Sequence, residues 1–271
     1  LSTMLKGLKL HTHNITAVVT VADDGGSSGI LRSDLGMLAP GDVRNCVSAL
    51  AEVDPVMGEL LNFRFKDGSL KGHSLGNLFL AALNETSSSF DEAVKKFSHL
   101  TGVVGTVYPV TNESVTLSAL LEDGRLIEGE SHIGVHHDGP KNGIVKLMVN
   151  PEKPKAVDGV IKALEKADII VLGPGSLYTS IIPNLLVDGV VDAIKKSNAV
   201  KIYVCNIMSQ AGETENYTVS DHLAAIERHS YEGIADIVIA NNAIIPESLR
   251  IKYASEHARE VMIDSINVLK R

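Results

Sequence analysis

The chain has 271 residues, 44% of them hydrophobic and 4% aromatic, with a formal net charge of −8. That length suits one large α/β domain or two small ones, and the apolar content fills a sizeable core, which excludes a disordered chain. The acidic balance and the absence of Trp exclude nucleic acid or an anionic membrane as the main partner, since both call for a basic face or a stacking platform. Cys46 and Cys205 are the two cysteines; they make no disulfide framework or metal cluster and fit a cytoplasmic setting. No apolar run reaches about 18 residues, so no membrane span is expected.

Along the chain, Leu1, Met4, Leu5 and Leu8 recur at helical spacing. A βαβ unit sets a strand and a turn before such a helix, so an upstream strand and loop are expected ahead of Leu1. Residues 15–22 read as a buried parallel strand. Asp42 is placed to cap a helix with the stripe Val43, Cys46, Val47 and Leu50, and Ser74 to cap another with Leu75, Leu78, Phe79 and Ala82 inward. Residues 103–150 change to a β-rich excursion, with a hairpin turn at Glu122-Asp123-Gly124-Arg125. Helices at 157–166, 186–196, 219–229 and 246–257 then alternate with strands at 168–172, 201–208 and 234–240. This alternation predicts a Rossmann-like, doubly wound, mostly parallel sheet in a single α/β domain over residues 1–271.

Four constellations carry the chemistry. The first follows the strand at 15–22: Asp23 and Asp24, then Gly25, Gly26, Ser27, Ser28 and Gly29. Ligands of open α/β sheets bind at the carboxyl ends of strands. Two acids there suit a divalent cation or ribose hydroxyls, and the glycines allow close backbone approach to phosphate. Against a plain solvated turn, the tandem acids favour a nucleotide site with Asp23 and Asp24 as metal or catalytic groups. The second, Pro40-Gly41-Asp42-Val43-Arg44-Asn45, enters a helix whose positive end suits an anion; Asp42, Arg44 and Asn45 are ligand candidates against a structural cap and a surface cation.

The third, Gly72-His73-Ser74-Leu75-Gly76-Asn77, puts Ser74 and Asn77 at a helix start. Gly76 early in that helix implies close packing or ligand approach, and His73 is a candidate proton carrier against a structural histidine. The fourth, Gly173-Pro174-Gly175-Ser176-Leu177-Tyr178-Thr179-Ser180, follows a short strand as a phosphate cradle, with Gly173, Gly175, Ser176, Tyr178 and Thr179 as candidates. It is neither the dinucleotide fingerprint nor a Walker loop. His136-His137-Asp138 reads as a solvated hairpin loop rather than a metal site. Cys46 on a stripe and Cys205 in a strand read as core, and no Gly-x-Ser-x-Gly elbow supports a hydrolase triad.

With these four motifs in this order, the chain resembles the bacterial gluconeogenesis factor family, whose relatives are the 2-phospho-L-lactate transferases of deazaflavin coenzyme biosynthesis. The resemblance covers nearly the whole chain. It implies a Rossmann-type fold, a cytoplasmic role in gluconeogenic growth and cell shape, and binding of UDP-N-acetylglucosamine. From the transferase branch it implies Mg²⁺ and a nucleotide diphosphate ester, with Asp23 and Asp24 at the acidic site. Tyr253 matches a position implied to contact the nucleotide sugar, against its reading as one more residue of an amphipathic helix. Two functions follow as expectations: a regulatory binding protein, read by protein partners or as a homo-oligomer, and a Mg²⁺-dependent transferase. A dinucleotide binder using NAD rests on the fold alone.

Overall fold

The computed structural model describes residues 1–134 and 143–268; the His136-His137-Asp138 loop lies outside the described residues. The chain divides into two compact units, Leu1–Val115 with Pro154–Ala163, and Thr116–Lys153 with Leu164–Arg271.

The first unit contains α1 (Ser2–Leu8), β1 (Thr16–Val19), α2 (Gly26–Leu35), α3 (Gly41–Leu50), α4 (Pro55–Asn62), α5 (Leu75–Glu85), α6 (Phe90–Leu100) and β2 (Thr106–Pro109). β1 and β2 pair in parallel, Thr16 with Thr106 through Val19 with Pro109. The predicted stripe of α3 is inward: Val43, Cys46, Val47 and Leu50 are all buried. Burial also pushes the Cys46 thiol up to about 12, so it packs as a small apolar group and is no nucleophile.

In the second unit, β3 (Thr116–Leu121), β4 (Leu126–Glu128), α7 (Glu130–Ile133) and β5 (Ile144–Asn150) come first. β3 is central in an antiparallel sheet of order β4-β3-β5, and Leu121 N donates to Arg125 O across the predicted hairpin turn. α8 (Asp158–Lys166) runs across the division of the chain. Then follow β6 (Ile169–Leu172), a π-helical turn (Leu177–Ile181), α9 (Ile182–Leu185), α10 (Val190–Lys196), β7 (Val200–Val204), α11 (Val219–Arg228), β8 (Ile237–Ile239), α12 (Glu247–Ala254) and α13 (Ser265–Val268). Strands β6, β7 and β8 form a parallel sheet in that order.

Parallel strands joined by helices make this the α/β class that the alternation predicts. Three details differ. The β-rich stretch spans 116–150 rather than 103–150, because β2 belongs to the parallel pair and hydrogen-bonds β1. Among the described residues the strands form three separate sheets. The helix predicted at 186–196 begins only at Val190, because its N-cap Gly189 has a φ of 84°, outside helical backbone, while α9 ends before it at Leu185. No helix among the described residues is long and apolar enough to cross a membrane.

Candidate functional site

The first three constellations converge within the first unit. β1 ends two residues short of the buried pair Val21 and Ala22, and Asp23 and Asp24 follow, both half-buried. Arg32 on α2 reaches back to hold this segment. Its guanidinium donates to Ala22 O at 3.0 Å, Asp23 O at 3.1 Å and Val115 O at 2.8 Å. Gly25 N donates to Asp23 Oδ1 at 2.9 Å, a local turn that launches α2 through Gly26 at φ +45°. Ser27 and Ser28 therefore lie in the first helical turn, not in a loop. No side chain caps α2, which leaves its leading N–H groups suited to an anion. Gly29 has no alternative here: a Cβ would stand 2.1 Å from Asp24 O.

The start of α3 is pressed against this turn. A Cβ on Gly41 would lie 2.6 Å from Ser28 Oγ and 3.1 Å from Asp23 Oδ2. Asp42 does not cap α3 as expected. The backbone is already helical at Pro40, the N-cap, and Asp42 falls inside the first turn with no side-chain cap bond. Its carboxyl is raised above the ordinary aspartate value of 3.8 by burial and then by repulsion from Asp23. Asp42 thus joins Asp23 in a shared negative field, and sequence spacing alone gave no sign of that pairing.

Arg44 also departs from expectation. It is buried, not a surface cation, whereas its neighbour Asn45 is exposed. Burial, then repulsion from Arg64, lowers its affinity for its proton. Its Nε donates to Asn77 Oδ1 at 3.3 Å and its Nη1 to Asn62 Oδ1 at 2.9 Å. Asn77 Nδ2 in turn donates to Ser27 Oγ at 3.1 Å, and Ser27 Oγ lies 3.0 Å from His73 Nδ1. With Asn77 donating, the Ser27 proton is directed to His73 Nδ1 when the imidazole carries its own proton on Nε2. Ser74 caps α5 as predicted, accepting from Asn77 N at 3.2 Å, but the buried face of α5 is Gly76, Asn77, Leu80 and Ala81 rather than the expected Leu75, Leu78, Phe79 and Ala82, because the helix turns its polar Asn77 to the Arg44 guanidinium. Close packing explains Gly76, whose Cβ would meet Leu61 O at 2.6 Å. A chain of hydrogen bonds thus runs from His73 to Asn62 through residues of α2, α5 and α3.

The fourth constellation lies in the second unit. Gly173, at φ +82°, sits where a Cβ would be 2.8 Å from Val204 O, and the Gly173–Pro174 peptide is cis. Asn206 clamps the turn reciprocally: Gly175 N donates to its Oδ1 at 3.3 Å, and its Nδ2 donates to Gly175 O at 2.8 Å. The expected cradle holds an anion of its own chain. Glu213 is buried, and its carboxylate accepts from Tyr178 N at 3.0 Å, Thr179 Oγ1 at 3.1 Å and Gln210 Nε2 at 2.7 Å. Tyr178 is wholly buried, its hydroxyl donating to Ile144 O at 3.1 Å and lying 2.9 Å from Tyr217 OH. The polar groups of Tyr178 and Thr179 are therefore engaged internally, because a buried acid needs every donor within reach. Ser176 and Gly175 stay half-buried at the turn, and Tyr253 sits half-buried on α12. Replacing Glu213 by Gln should lower the melting temperature measurably, since one amide oxygen would replace a charged acceptor of three bonds; an unchanged melting curve would contradict this role.

Sequence reading missed Arg32, Asn62, Asn206 and Glu213. Only Asn206 carried a signal, a polar residue just past the carboxyl end of a buried strand. Among the described residues no three His, Cys, Asp or Glu side chains gather to hold a metal ion. A cation beside Asp23 and Asp42 would need further oxygens from a ligand, the usual habit of Mg²⁺ with phosphates.

Glycine-tight turns at a strand's carboxyl end, two neighbouring carboxylates and a buried His–Ser–Asn–Arg network thus meet in one α/β unit. The chain belongs to the family described as 2-phospho-L-lactate transferase CofD, whose model matches residues 1–271. Among its curated relatives, the putative gluconeogenesis factor of Clostridium acetobutylicum is 50% identical over 264 residues, covering 97% of this chain and 58% of the relative. The gluconeogenesis factor of Bacillus subtilis is 45% identical over 267 residues, covering 97% of this chain and 82% of the relative. A crystal structure of a UPF0052 family protein from Bacillus halodurans superposes with a TM-score of 0.95 at 45% identity, covering 99% of this chain and 86% of that one. The chain thus spans little more than half the length of the first of these relatives.

Proposed function

We propose that the first unit binds a nucleotide sugar of the UDP-N-acetylglucosamine type, and that the protein acts as a cytoplasmic regulator of gluconeogenic growth and cell shape. The observation that supports this reading is the convergence of the starts of α2 and α3 on Asp23, with glycine obligatory at Gly29, and Gly41 packed against the Ser28 and Asp23 side chains. Backbone that tight admits a phosphate close to the uncapped N–H groups of α2. Asp42 lies close enough to Asp23 to repel it, so a divalent cation shared with a diphosphate relieves that repulsion, with Asp24 next in the chain as a further candidate oxygen donor. Ser27, Ser74, Asn77 and Arg44 form the buried polar network behind this turn, with Asn45 exposed on α3; in the second unit, Gly173, Gly175, Ser176 and Tyr253 are candidates of a separate turn and helix.

The Ser27–His73 contact favours a second reading, a Mg²⁺-dependent transferase acting on a nucleotide diphosphate ester. In it His73 would take a proton from an attacking hydroxyl through Ser27.

Titration calorimetry of the protein against UDP-N-acetylglucosamine, GDP and NAD, each with and without Mg²⁺, separates the readings. Binding of the nucleotide sugar with its recovery unchanged supports the regulator. Preference for GDP with a strict Mg²⁺ requirement supports the transferase, and binding of NAD alone overturns both. Asp24→Asn should leave the fold intact and weaken binding, with the larger loss in Mg²⁺; equal affinity would sink the assignment.

Asp42→Asn gives a pH-resolved test of the carboxylate pair. Because the folded Asp42 carboxyl titrates above its ordinary 3.8, its ionisation destabilises the native state. Stability linked to this group is fully present below pH 3.8 and is lost as pH rises through the raised value. The asparagine variant should therefore be more stable than the parent at neutral pH, with the gap closing in acid, while Mg²⁺-dependent ligand binding falls. A variant less stable at neutral pH would refute the strained pair.

A further inference from the structure

Arg44 is a buried cation held without an ion pair. It is 7% exposed, and its two hydrogen bonds go to neutral amide oxygens, from Nε to Asn77 Oδ1 and from Nη1 to Asn62 Oδ1. Nη2 donates to no described residue and is not sealed from solvent. A buried charge with only neutral partners is unfavourable until an opposite charge joins it. Asp42, two positions earlier on α3, attracts Arg44 less strongly than the guanidinium of Arg64 repels it.

The backbone brings Arg64 to the same place. Arg64 lies two residues past Asn62 and pairs antiparallel with Ser74, the N-cap of α5. Asn77, the other partner of Arg44, stands in the first turn of that helix. Gly76 makes the approach close, since a Cβ there would lie 2.9 Å from Arg44 Cδ. Arg64 is exposed and uses only Nη1 in the fold, donating to Gly72 O, so its Nε and Nη2 are available. The turn that follows carries exposed Lys66 and Lys71 against one acid, Asp67. Among the described residues none of these four cations forms an ion pair. Two guanidiniums gathered at one helix start, each with N–H groups to donate, match the oxygens of a phosphate in geometry and in charge.

We propose that Arg44 and Arg64 form a seat for a phosphate group at the start of α5, with Nη2 of Arg44 and Nε and Nη2 of Arg64 as its donors. The seat is opposite in charge to the Asp23–Asp42 pair, which calls for a cation. It goes beyond the nucleotide reading by adding a second anion, either a further phosphate of the same ligand or a separate phosphorylated small molecule. It needs neither nucleotide nor Mg²⁺, so each reading can fail while the other stands.

Titration calorimetry of the protein with inorganic phosphate, in chloride buffer of constant ionic strength without Mg²⁺, tests the seat. The expected result is binding at one site that Arg64→Gln weakens about tenfold or more. The glutamine keeps an N–H donor while removing the charge, so the melting curve should stay native. Should that variant fail to fold, Arg64→Lys decides: weaker phosphate binding supports the seat, and parental affinity overturns it. Repeating the titration with UDP-N-acetylglucosamine and Mg²⁺ present separates the two sources, and either outcome keeps the seat. Phosphate that is then excluded marks the ligand's own phosphate, and phosphate that still binds marks a separate molecule. No binding of phosphate to the parent protein overturns the proposal. So does binding that Arg64→Gln leaves unchanged, which would place the ion elsewhere.

Discussion

Arg44→Ala is expected to lower stability by about 3 kcal/mol and to weaken nucleotide binding by more than about tenfold. The guanidinium is buried and holds Asn77 Oδ1 and Asn62 Oδ1. Truncation leaves the buried Asn77 oxygen without its charged donor, and an orphaned buried acceptor carries its whole desolvation penalty, whereas the exposed Asn62 oxygen can turn to water. The aliphatic stem contributes as well. Arg44 Cδ and Cγ lie 2.9 and 3.1 Å from the point where a Gly76 Cβ would stand, so removing them opens a gap beside α5. Affinity falls because Asn77 also positions the Ser27 hydroxyl, and Ser27 stands in the first turn of α2. Urea denaturation and calorimetry measure the two effects separately. A stability change within about 0.5 kcal/mol, the range of ordinary surface substitutions, would show that the network carries no structural weight.

Gly76→Ala should destabilise by about 2 kcal/mol, against the usual direction. In a helix interior Ala normally gains about 1 kcal/mol over Gly. At Gly76 the added methyl would meet Leu61 O at 2.6 Å and Arg44 Cδ at 2.9 Å. The Leu61 carbonyl is backbone at the end of α4, so α4 and α5 must part for the methyl to fit. Gly58, inside α4, is the control: its Cβ would find only Val53 Cγ2, at 3.8 Å. Gly58→Ala should therefore stabilise while Gly76→Ala destabilises, and melting temperatures read both. Stabilisation by both would mean that α5 shifts freely and that close packing does not explain Gly76.

Much of the first unit's site was legible because its signals are local. The Ser74 cap depends on a residue three places away, and the α3 stripe on positions within one helix. α2, α4 and α6 were not anticipated. α2 opens on Gly26-Ser27-Ser28-Gly29, among the weakest helix formers, and becomes helical because Arg32 anchors it to the Ala22 and Asp23 carbonyls. Here tertiary contact overrules propensity. The phosphate cradle at Gly173 was read correctly as a glycine-tight turn after a strand, but the donors at its helix start are engaged by Glu213. A sequence window around the turn holds no trace of an acid 35 residues downstream.

By itself, then, the sequence determined the α/β class, the order of the four glycine-rich turns and the family to which the chain belongs. These follow from composition, periodicity and short motifs, each a property of neighbouring residues. Only the tertiary structure decided that Asp42 shares a field with Asp23, that Arg44 is an interior hydrogen-bond donor, and that Tyr178 belongs to the core. Each of those outcomes depends on which group meets a buried charge or hydroxyl. Burial makes a partner obligatory, and the folded topology selects that partner from residues far apart in the chain.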